Sequence, residues 1–305
     1  LVGSEMCIRA RACALCPRAC GVDRRTGQLG FCRMPGQMRV AKAMRHFWEE
    51  PCISGETGSG TVFFSGCVLR CVYCQNHNIA ESRAGRIIGW ERLSEIFLEL
   101  QDKKANNINL VTPTHFVPQI ALALERAKLG GLHIPVVYNT GSYERVETLK
   151  RMEGLVDIYL PDLKYMSSRL GERYSHAADY FETASAAIAE MVRQTDGPDF
   201  DDKSGLMKKG VIVRHLVLPG CTADSKKVIS YLYHTYGDRI YISIMNQFTP
   251  VCDLSSFPEL NRRITAREYE KIVDYALDIG VENGFIQEGN TAEESFIPEF
   301  DGEGL

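Results

Sequence analysis

The stretch from Thr61 to Ile79, TVFFSGCVLRCVYCQNHNI, runs from a short apolar segment straight into three closely spaced cysteines. Cys67, Cys71 and Cys74 follow the spacing C-x3-C-x2-C, and Gly66 permits a sharp backbone turn between strand and loop. Three thiolates on one tight loop can ligate three corners of a cubane iron–sulfur cluster. The fourth iron would then lack a protein ligand and stand open to a bidentate small molecule such as an amino-carboxylate. Zinc is the alternative, with His77 as a nearby fourth ligand. The loop's position after the first strand of an alternating pattern favours the cluster.

That alternation extends along most of the chain. Strand candidates are Thr61–Phe64, Ile108–Val111, Ile134–Tyr138, Val156–Leu160, Val211–Leu218, Ile240–Met245 and Gly284–Ile286. They are short apolar runs, as expected of strands covered on both faces of a parallel sheet. Helical stretches lie between them at Glu91–Lys104, Val117–Leu129, Tyr143–Met152, Arg169–Arg193, Ser225–Tyr236 and Thr265–Ile279, the last opening on the capping-box pattern Thr265-Ala266-Arg267-Glu268. Repeated strand–helix–strand units with right-handed crossovers predict an α/β fold, an open or partly closed βα barrel of about six units, with its site at the strands' C-terminal ends. Residues 195–210 read as an exposed acidic loop, and no fixed-period repeat is present.

Composition sets the outer bounds. Among 305 residues, 45% are hydrophobic and 24% charged, enough apolar material for a sizeable core, which excludes a disordered chain. A formal net charge of -4 gives no positive field for nucleic acid. No apolar run is long enough for a membrane span, and Cys and Arg occupy the first residues where a secretory core would be apolar, so a cytoplasmic protein is expected. Eleven cysteines in such a chain point to metal before disulfides.

The segment Gly66-Cys67-Val68-Leu69-Arg70-Cys71-Val72-Tyr73-Cys74-Gln75-Asn76, with its aromatic before the third cysteine, resembles the signature of the radical S-adenosylmethionine superfamily, and more narrowly that of pyruvate formate-lyase-activating enzymes. The likeness continues, more weakly, to about Gln287. It implies a partial (β/α)6 barrel of the radical SAM type. It also implies a [4Fe-4S] cluster on Cys67, Cys71 and Cys74 that reductively cleaves S-adenosylmethionine to methionine and a 5′-deoxyadenosyl radical. That radical takes a hydrogen atom, in the activases from a backbone glycine of a glycyl-radical enzyme, and the electron comes from a flavodoxin- or ferredoxin-like reductant. Tyr73 and Asn76 fall in the matched loop.

Later strand ends extend the comparison. Val111-Thr112-Pro113-Thr114-His115 departs from a Gly-Gly-Glu-Pro-like turn, so Thr112 and Thr114 would meet the methionine amino group through hydroxyl and backbone groups, with His115 as a further polar wall. Tyr138-Asn139-Thr140-Gly141-Ser142 is similar to an Asp-Thr-Asn-Gly stretch. Asn139 and Ser142 would bond the ribose or carboxylate, and the missing Asp charge counts against a monovalent-cation site. Asp162-Leu163-Lys164 resembles the activases' Asp-Leu-Lys, placing Asp162 and Lys164 in the pocket, and Arg214 matches a Val-Arg motif that offers a planar fork to a carboxylate. Gln247 stands where the activases carry a His near adenine, and Gln287 and Glu288 are rim residues.

A second constellation, Cys13-x2-Cys16-x3-Cys20-x11-Cys32, supplies four soft ligands for a second iron–sulfur cluster or for zinc. Cys7, Cys52, Cys221 and Cys252 are isolated and read as ordinary core or surface residues. In His46-Phe47-Trp48-Glu49-Glu50, Trp48 is expected to pack module against barrel, the alternative being that the acidic pair guides a basic peptide. The expected division is a Cys-rich module at 1–59, the barrel at 60–290 and a tail at 291–305. A non-catalytic iron–sulfur carrier or zinc-stapled binding protein is the rival class, and a radical enzyme acting on a small molecule or another protein the rival activity.

Overall fold

A computed structural model describes residues 12–81, 84–287 and 298–305. Cys7, Glu288 and the first residues of the expected tail lie outside the described residues. Ten strands form one sheet: β1 (Arg39–His46), β2 (Ser59–Phe64), β3 (Arg86–Ile87), β4 (Ile108–Val111), β5 (Val136–Thr140), β6 (Ile158–Pro161), β7 (Asp199–Phe200), β8 (Met207–Leu216), β9 (Tyr241–Met245) and β10 (Gly284–Ile286). The order is β10-β9-β8-β6-β5-β4-β2-β1-β3, with β7 paired to β8. From β2 to β10 the pairings along this path are all parallel. Each strand lies beside its predecessor in the repeat, so the sheet winds in one direction and does not close among the described residues. This is a partial βα barrel.

Helices cross between successive parallel strands at Trp90–Asp102, Val117–Leu129, Val146–Leu149, Ser168–Ser175 with Tyr180–Thr195, Thr222–Tyr236 and Ala266–Asp278. Their apolar stripes cover one face of the sheet: Leu93, Ile96, Phe97 and Leu100 are buried from the first, and Ile120, Ala123, Leu124 and Ala127 from the second. The capping box at Thr265 forms as expected, with Glu268 bonded back to the Thr265 N–H.

Three expectations are corrected. The helix expected over Arg169–Arg193 breaks at His176, which takes a left-handed conformation (φ 54°). Gly171 lets the chain turn back there, because a methyl group on it would lie 2.4 Å from the Ala177 carbonyl. The helix expected from Tyr143 begins only at Val146, since Ser142 is also left-handed and Tyr143 and Glu144 turn into the core, where Tyr143 bonds Asp179. The expected loop 195–210 contains the β7–β8 hairpin, whose turn Asp201 organises by accepting the Lys203 and Ser204 N–H groups.

A further strand, β1, lies inside the Cys-rich segment and pairs antiparallel with β2, and the boundary read at residue 59 falls on the first residue of β2. Residues 298–305 lie along β1. The Glu303 carbonyl accepts the Ala43 N–H, and buried Lys42 meets Asp301 at 3.1 Å and Glu303 at 3.0 Å. No helix among the described residues is long and apolar enough to cross a membrane.

Gly66 sets the exit from β2. It has φ 87°, and a methyl group there would stand 2.4 Å from Met34 Cγ, 2.8 Å from the Cys32 carbonyl and 3.0 Å from His115 Nε2. Gly154 has a similar φ of 78° but nothing within 4 Å. Gly154→Ala should cost about 1 kcal/mol from backbone strain alone. Gly66→Ala should cost roughly 1–3 kcal/mol more through overpacking. Urea unfolding of the two variants measures the difference, and equal midpoints would exclude the packing contribution.

Candidate active site

The three-cysteine loop begins where β2 ends. The N–H groups of Leu69 and Arg70 approach Cys67 Sγ at 3.4 Å, Arg70 is left-handed (φ 52°), and the Cys74 N–H bonds the Cys71 carbonyl at 3.0 Å. Cys71 Sγ lies 2.9 Å from Ser175 Oγ, at the end of Ser168–Ser175, and the Val72 N–H bonds Tyr174. The break at His176 thus fixes the loop from the far side. Burial pushes the Cys71 and Cys74 thiols up, each raised further by the neighbouring cysteines, while Lys164 opposes this at both. Tyr73 contributes a hydroxyl chain, 2.5 Å to Tyr165 and 3.1 Å onward from Tyr165 to Ser175.

All three cysteines open onto a cavity of about 460 Å³ inside the barrel. Arg214 on β8 dominates its polar wall. Its guanidinium donates to Asn139 Oδ1 at 2.6 Å, Asp162 Oδ1 at 3.0 Å and Glu49 Oε2 at 3.1 Å, and Lys164 Nζ holds the other Asp162 oxygen at 2.6 Å. Burial alone would raise the Asp162 carboxyl. The two cations outweigh it and hold that carboxyl below the usual range.

Glu49 and Glu50 reach this lumen from below. β1 ends opposite the start of β2, and the following turn Pro51–Ser54 is held under the sheet by Asn106 on the Ser54 carbonyl and Asn107 on the Ile53 carbonyl. Glu49 also accepts from Asn109 at 2.9 Å. Glu50 lines the cavity with its Oε2 lacking a hydrogen-bond partner; burial raises its carboxyl, Arg214 opposes the rise and Glu49 adds to it.

Of the expected cofactor residues, Tyr73, Asn76, Thr112, Asn139, Asp162, Lys164, Arg214 and Gln247 line the cavity together with the three cysteines. Gln287 does too, and it bonds Gln247 Oε1 at 3.2 Å. Thr114 and Ser142 do not line it. Thr114 is fully buried and donates to Glu144 at 2.6 Å, and Ser142 is turned inward by its left-handed backbone. His115 is a buried wedge on Ser65, its pKa lowered to about 3 by burial, the Ser65 bond opposing and the Arg24 charge adding to the fall. Trp48 is 59% exposed, so the expected packing role falls instead to Glu49. Sequence reading also missed Glu144, Ser175 and Ser243. Ser243 is a single polar residue in an apolar strand, and Glu144 and Ser175 lie among other polar residues, so no local pattern marks them.

The upstream cysteines gather against the same loop. Cys16 and Cys32 are buried, and the Cys16 thiol is pushed up to about 12, mainly by burial, with Cys32, Cys20 and Cys13 adding to it while the Arg18 N–H opposes. Arg18 donates to the Val68 carbonyl at 2.9 Å and the Ser175 carbonyl at 3.1 Å, with its guanidinium 4.0 Å from the Phe31 ring centre. Cys52, Cys221 and Cys252 are free thiols, and Cys252 Sγ donates at 3.1 Å to the Val72 carbonyl within the three-cysteine loop. Among the described residues no three His, Cys, Asp or Glu side chains converge as one mononuclear metal ion needs. A cubane instead places each thiolate on a different iron.

The family model described as the Radical SAM superfamily matches residues 61–231, more than half of the chain. The uncharacterized protein MJ0674 of Methanocaldococcus jannaschii is 29% identical over 279 residues, covering 87% of this chain and 74% of that protein. Among solved structures, the FeFe-hydrogenase maturase HydG of Carboxydothermus hydrogenoformans superposes with a TM-score of 0.51 at 12% identity, over 78% of this chain and 56% of its own. Streptococcus suis SuiB bound to its precursor peptide SuiA gives a TM-score of 0.48 at 12% identity, over 74% and 47%. The chain spans about half the length of these two solved structures, and the likeness to HydG is one of fold.

Glu144 yields a pH prediction. Burial raises its carboxyl to about 7 although Thr114 and Thr140 both donate to it at 2.6 Å. A group whose folded pKa lies above its unfolded value stabilises fully below the unfolded pKa and loses that contribution as pH rises through the folded one. The wild type should therefore lose stability between about pH 4.5 and 7 relative to Glu144→Gln. Melting temperatures of both proteins across that window check this, and parallel curves would refute it.

Proposed function

The chain belongs to the radical SAM superfamily, and on that premise we propose that it is an activating enzyme that removes a hydrogen atom from a backbone glycine of a partner enzyme, leaving a stored glycyl radical. The observation that carries this reading is the loop Gly66–Asn76, which resembles the activase stretch and opens its three cysteines onto a barrel cavity with one charged wall. Cys67, Cys71 and Cys74 would hold a [4Fe-4S] cluster, leaving one iron for the amino-carboxylate end of S-adenosylmethionine. When bound, the cluster supplies the electron that splits S-adenosylmethionine into methionine and a 5′-deoxyadenosyl radical.

The chain's own residues bind and shield. Lys164 has three N–H donors and spends one on Asp162, so it can also meet a carboxylate beside Cys71. Thr112, Asn76 and Gln247 bring hydroxyl and amide groups to the wall for ammonium, ribose and adenine. Tyr73, Leu69 and Met245 supply wall without free polar groups, which matters because a primary carbon radical attacks most C–H donors and the site must exclude competing ones. Asn139 gives its amide oxygen to Arg214, an arrangement that an activase-type cation site at this position would disturb. A flavodoxin- or ferredoxin-like protein would be the reductant.

One observation favours a second reading, a radical enzyme for a small molecule. Glu49 and Glu50 close the lumen from below with buried carboxylates, which suits a compact polar substrate.

Anaerobic reconstitution, dithionite reduction and chromatography test the shared chemistry. Wild type with S-adenosylmethionine should release 5′-deoxyadenosine, and Cys71→Ala should fall to background. With a glycyl-radical enzyme present, an electron paramagnetic resonance signal on that partner should grow with 5′-deoxyadenosine. Cleavage that is stimulated only by small molecules would overturn the activase reading and uphold the second.

A further inference from the structure

Backbone hydrogen bonds draw the four upstream cysteines into one compact segment. The Cys13 N–H bonds the Val22 carbonyl at 2.9 Å and the Gly21 N–H bonds the Cys13 carbonyl at 3.0 Å, closing a loop that carries Cys16 and Cys20 between its ends. Cys20 Sγ lies against Gly30, where a methyl group would be 2.7 Å away, so the loop presses on the strand of chain that leads to Cys32. Burial raises the Cys16 and Cys32 thiols, and the backbone N–H groups of Arg18 and Met34, each two residues beyond a cysteine, oppose that rise. Ala19, before Cys20, and Arg33, after Cys32, hold left-handed conformations that non-glycine residues adopt at a cost. Arg70, before Cys71 in the first loop, does the same.

This assembly touches the three-cysteine loop directly. The Cys32 carbonyl and Met34 abut Gly66, the residue before Cys67, and Arg18 ties the segment after Cys16 to Val68, the residue after it. Arg24 adds bonds of 2.7 Å to both Pro35 and His115. With this many contacts to the barrel, the segment has no need of a metal merely as a staple, and it abuts the residues on either side of Cys67.

We propose that Cys13, Cys16, Cys20 and Cys32 ligate an iron–sulfur cluster of their own, which accepts one electron from an external low-potential protein reductant and passes it to the cluster on Cys67, Cys71 and Cys74. The transfer moves one electron and no atoms. The donor is oxidised by one electron, the upstream cluster is reduced and then reoxidised, and the first cluster ends reduced by one. This inference rests on the proposed function for its electron acceptor, while its ligand set stands independently.

The experiment uses the full chain, reconstituted anaerobically as wild type, as Cys16→Ala/Cys32→Ala and as Cys67→Ala/Cys71→Ala/Cys74→Ala. Iron, sulfide and zinc are counted, and each protein is examined by electron paramagnetic resonance after reduction. Wild type should bind roughly eight irons and each variant roughly four, with a distinct reduced-cluster signal surviving in each. With reduced flavodoxin as donor, Cys16→Ala/Cys32→Ala should form 5′-deoxyadenosine at least about tenfold more slowly than wild type, equivalent to about 1.4 kcal/mol of barrier, and dithionite, which can reduce the first cluster directly, should restore much of the rate. Roughly four irons and one zinc in wild type would overturn the proposal while leaving the first cluster intact. Equal rates with flavodoxin would overturn the relay. Eight irons without 5′-deoxyadenosine would uphold the ligand set and count against the proposed function instead. Should the double variant fail to fold, the triple variant still decides the ligand set: iron retained in it that is lost when Cys20→Ala is added lies on the upstream cysteines, and iron that persists in full would overturn the assignment.

Discussion

Three acceptors from three separate stretches of chain meet on the guanidinium of Arg214: Asn139 at the end of β5, Asp162 just beyond β6, and Glu49 from the turn below the sheet. A planar five-donor fork can serve acceptors on different sides at once, and a lysine in its place could not. Such a network is weak evidence for stability, since desolvating the charges offsets most of their attraction, yet removing one partner would leave carboxylates buried and unpaired at a cost of roughly 3–5 kcal/mol. What the network does secure is the character of the lumen. A closed βα barrel fills its interior with layers of branched apolar side chains. Here the interior of β5, β6, β8 and β9 carries Asn139, Asp162, Arg214 and Ser243, so a cavity remains where a core would otherwise pack.

The segment before the repeat is structurally continuous with it. β1 extends the sheet antiparallel past β2, the turn after β1 delivers Glu49 upward into the lumen, and residues 298–305 lie on β1 through Lys42. Arg18 and Arg24 then bind carbonyls from the loops after β2 and β4 and from the helix end at Ser175. The upstream cysteines are therefore tied to the three-cysteine loop by Arg18, and the polar wall to the turn after β1 by Glu49.

Legibility in the sequence followed the range of the interactions concerned. The seven parallel strands were visible because burial on both faces leaves continuous apolar runs such as Val211-Ile212-Val213, and the three-cysteine loop because its ligands lie within eight residues of one another. Asp162, Lys164 and Arg214 were legible through position, each near a strand's C-terminal end. The errors share a cause of another kind. His176 and Ser142 are left-handed for reasons that lie in tertiary packing, so the helix read through the first and the helix begun beside the second had no local signal against them. Thr114 sits at a strand end like Thr112, but Glu144 draws its hydroxyl into the wall. Glu49 follows an aromatic in an irregular stretch, and its ion pair spans 165 residues of sequence.

Burial makes four of the cysteines chemically quiet. Cys71 and Cys74 in one loop, and Cys16 and Cys32 in the other, are all pushed toward the neutral thiol by desolvation and by one another. A thiol in that state is a poor nucleophile and is slow to oxidise. Coordination reverses the balance, because a metal-bound thiol is deprotonated by the ion's own charge. The N–H groups aimed at Cys67, Cys16 and Cys32 then strengthen as acceptors become anionic. The left-handed residues beside the cysteines have already absorbed the cost of the turn geometry. Each loop thus carries its turn geometry in its own backbone, while burial disfavours the thiolate at Cys16, Cys32, Cys71 and Cys74.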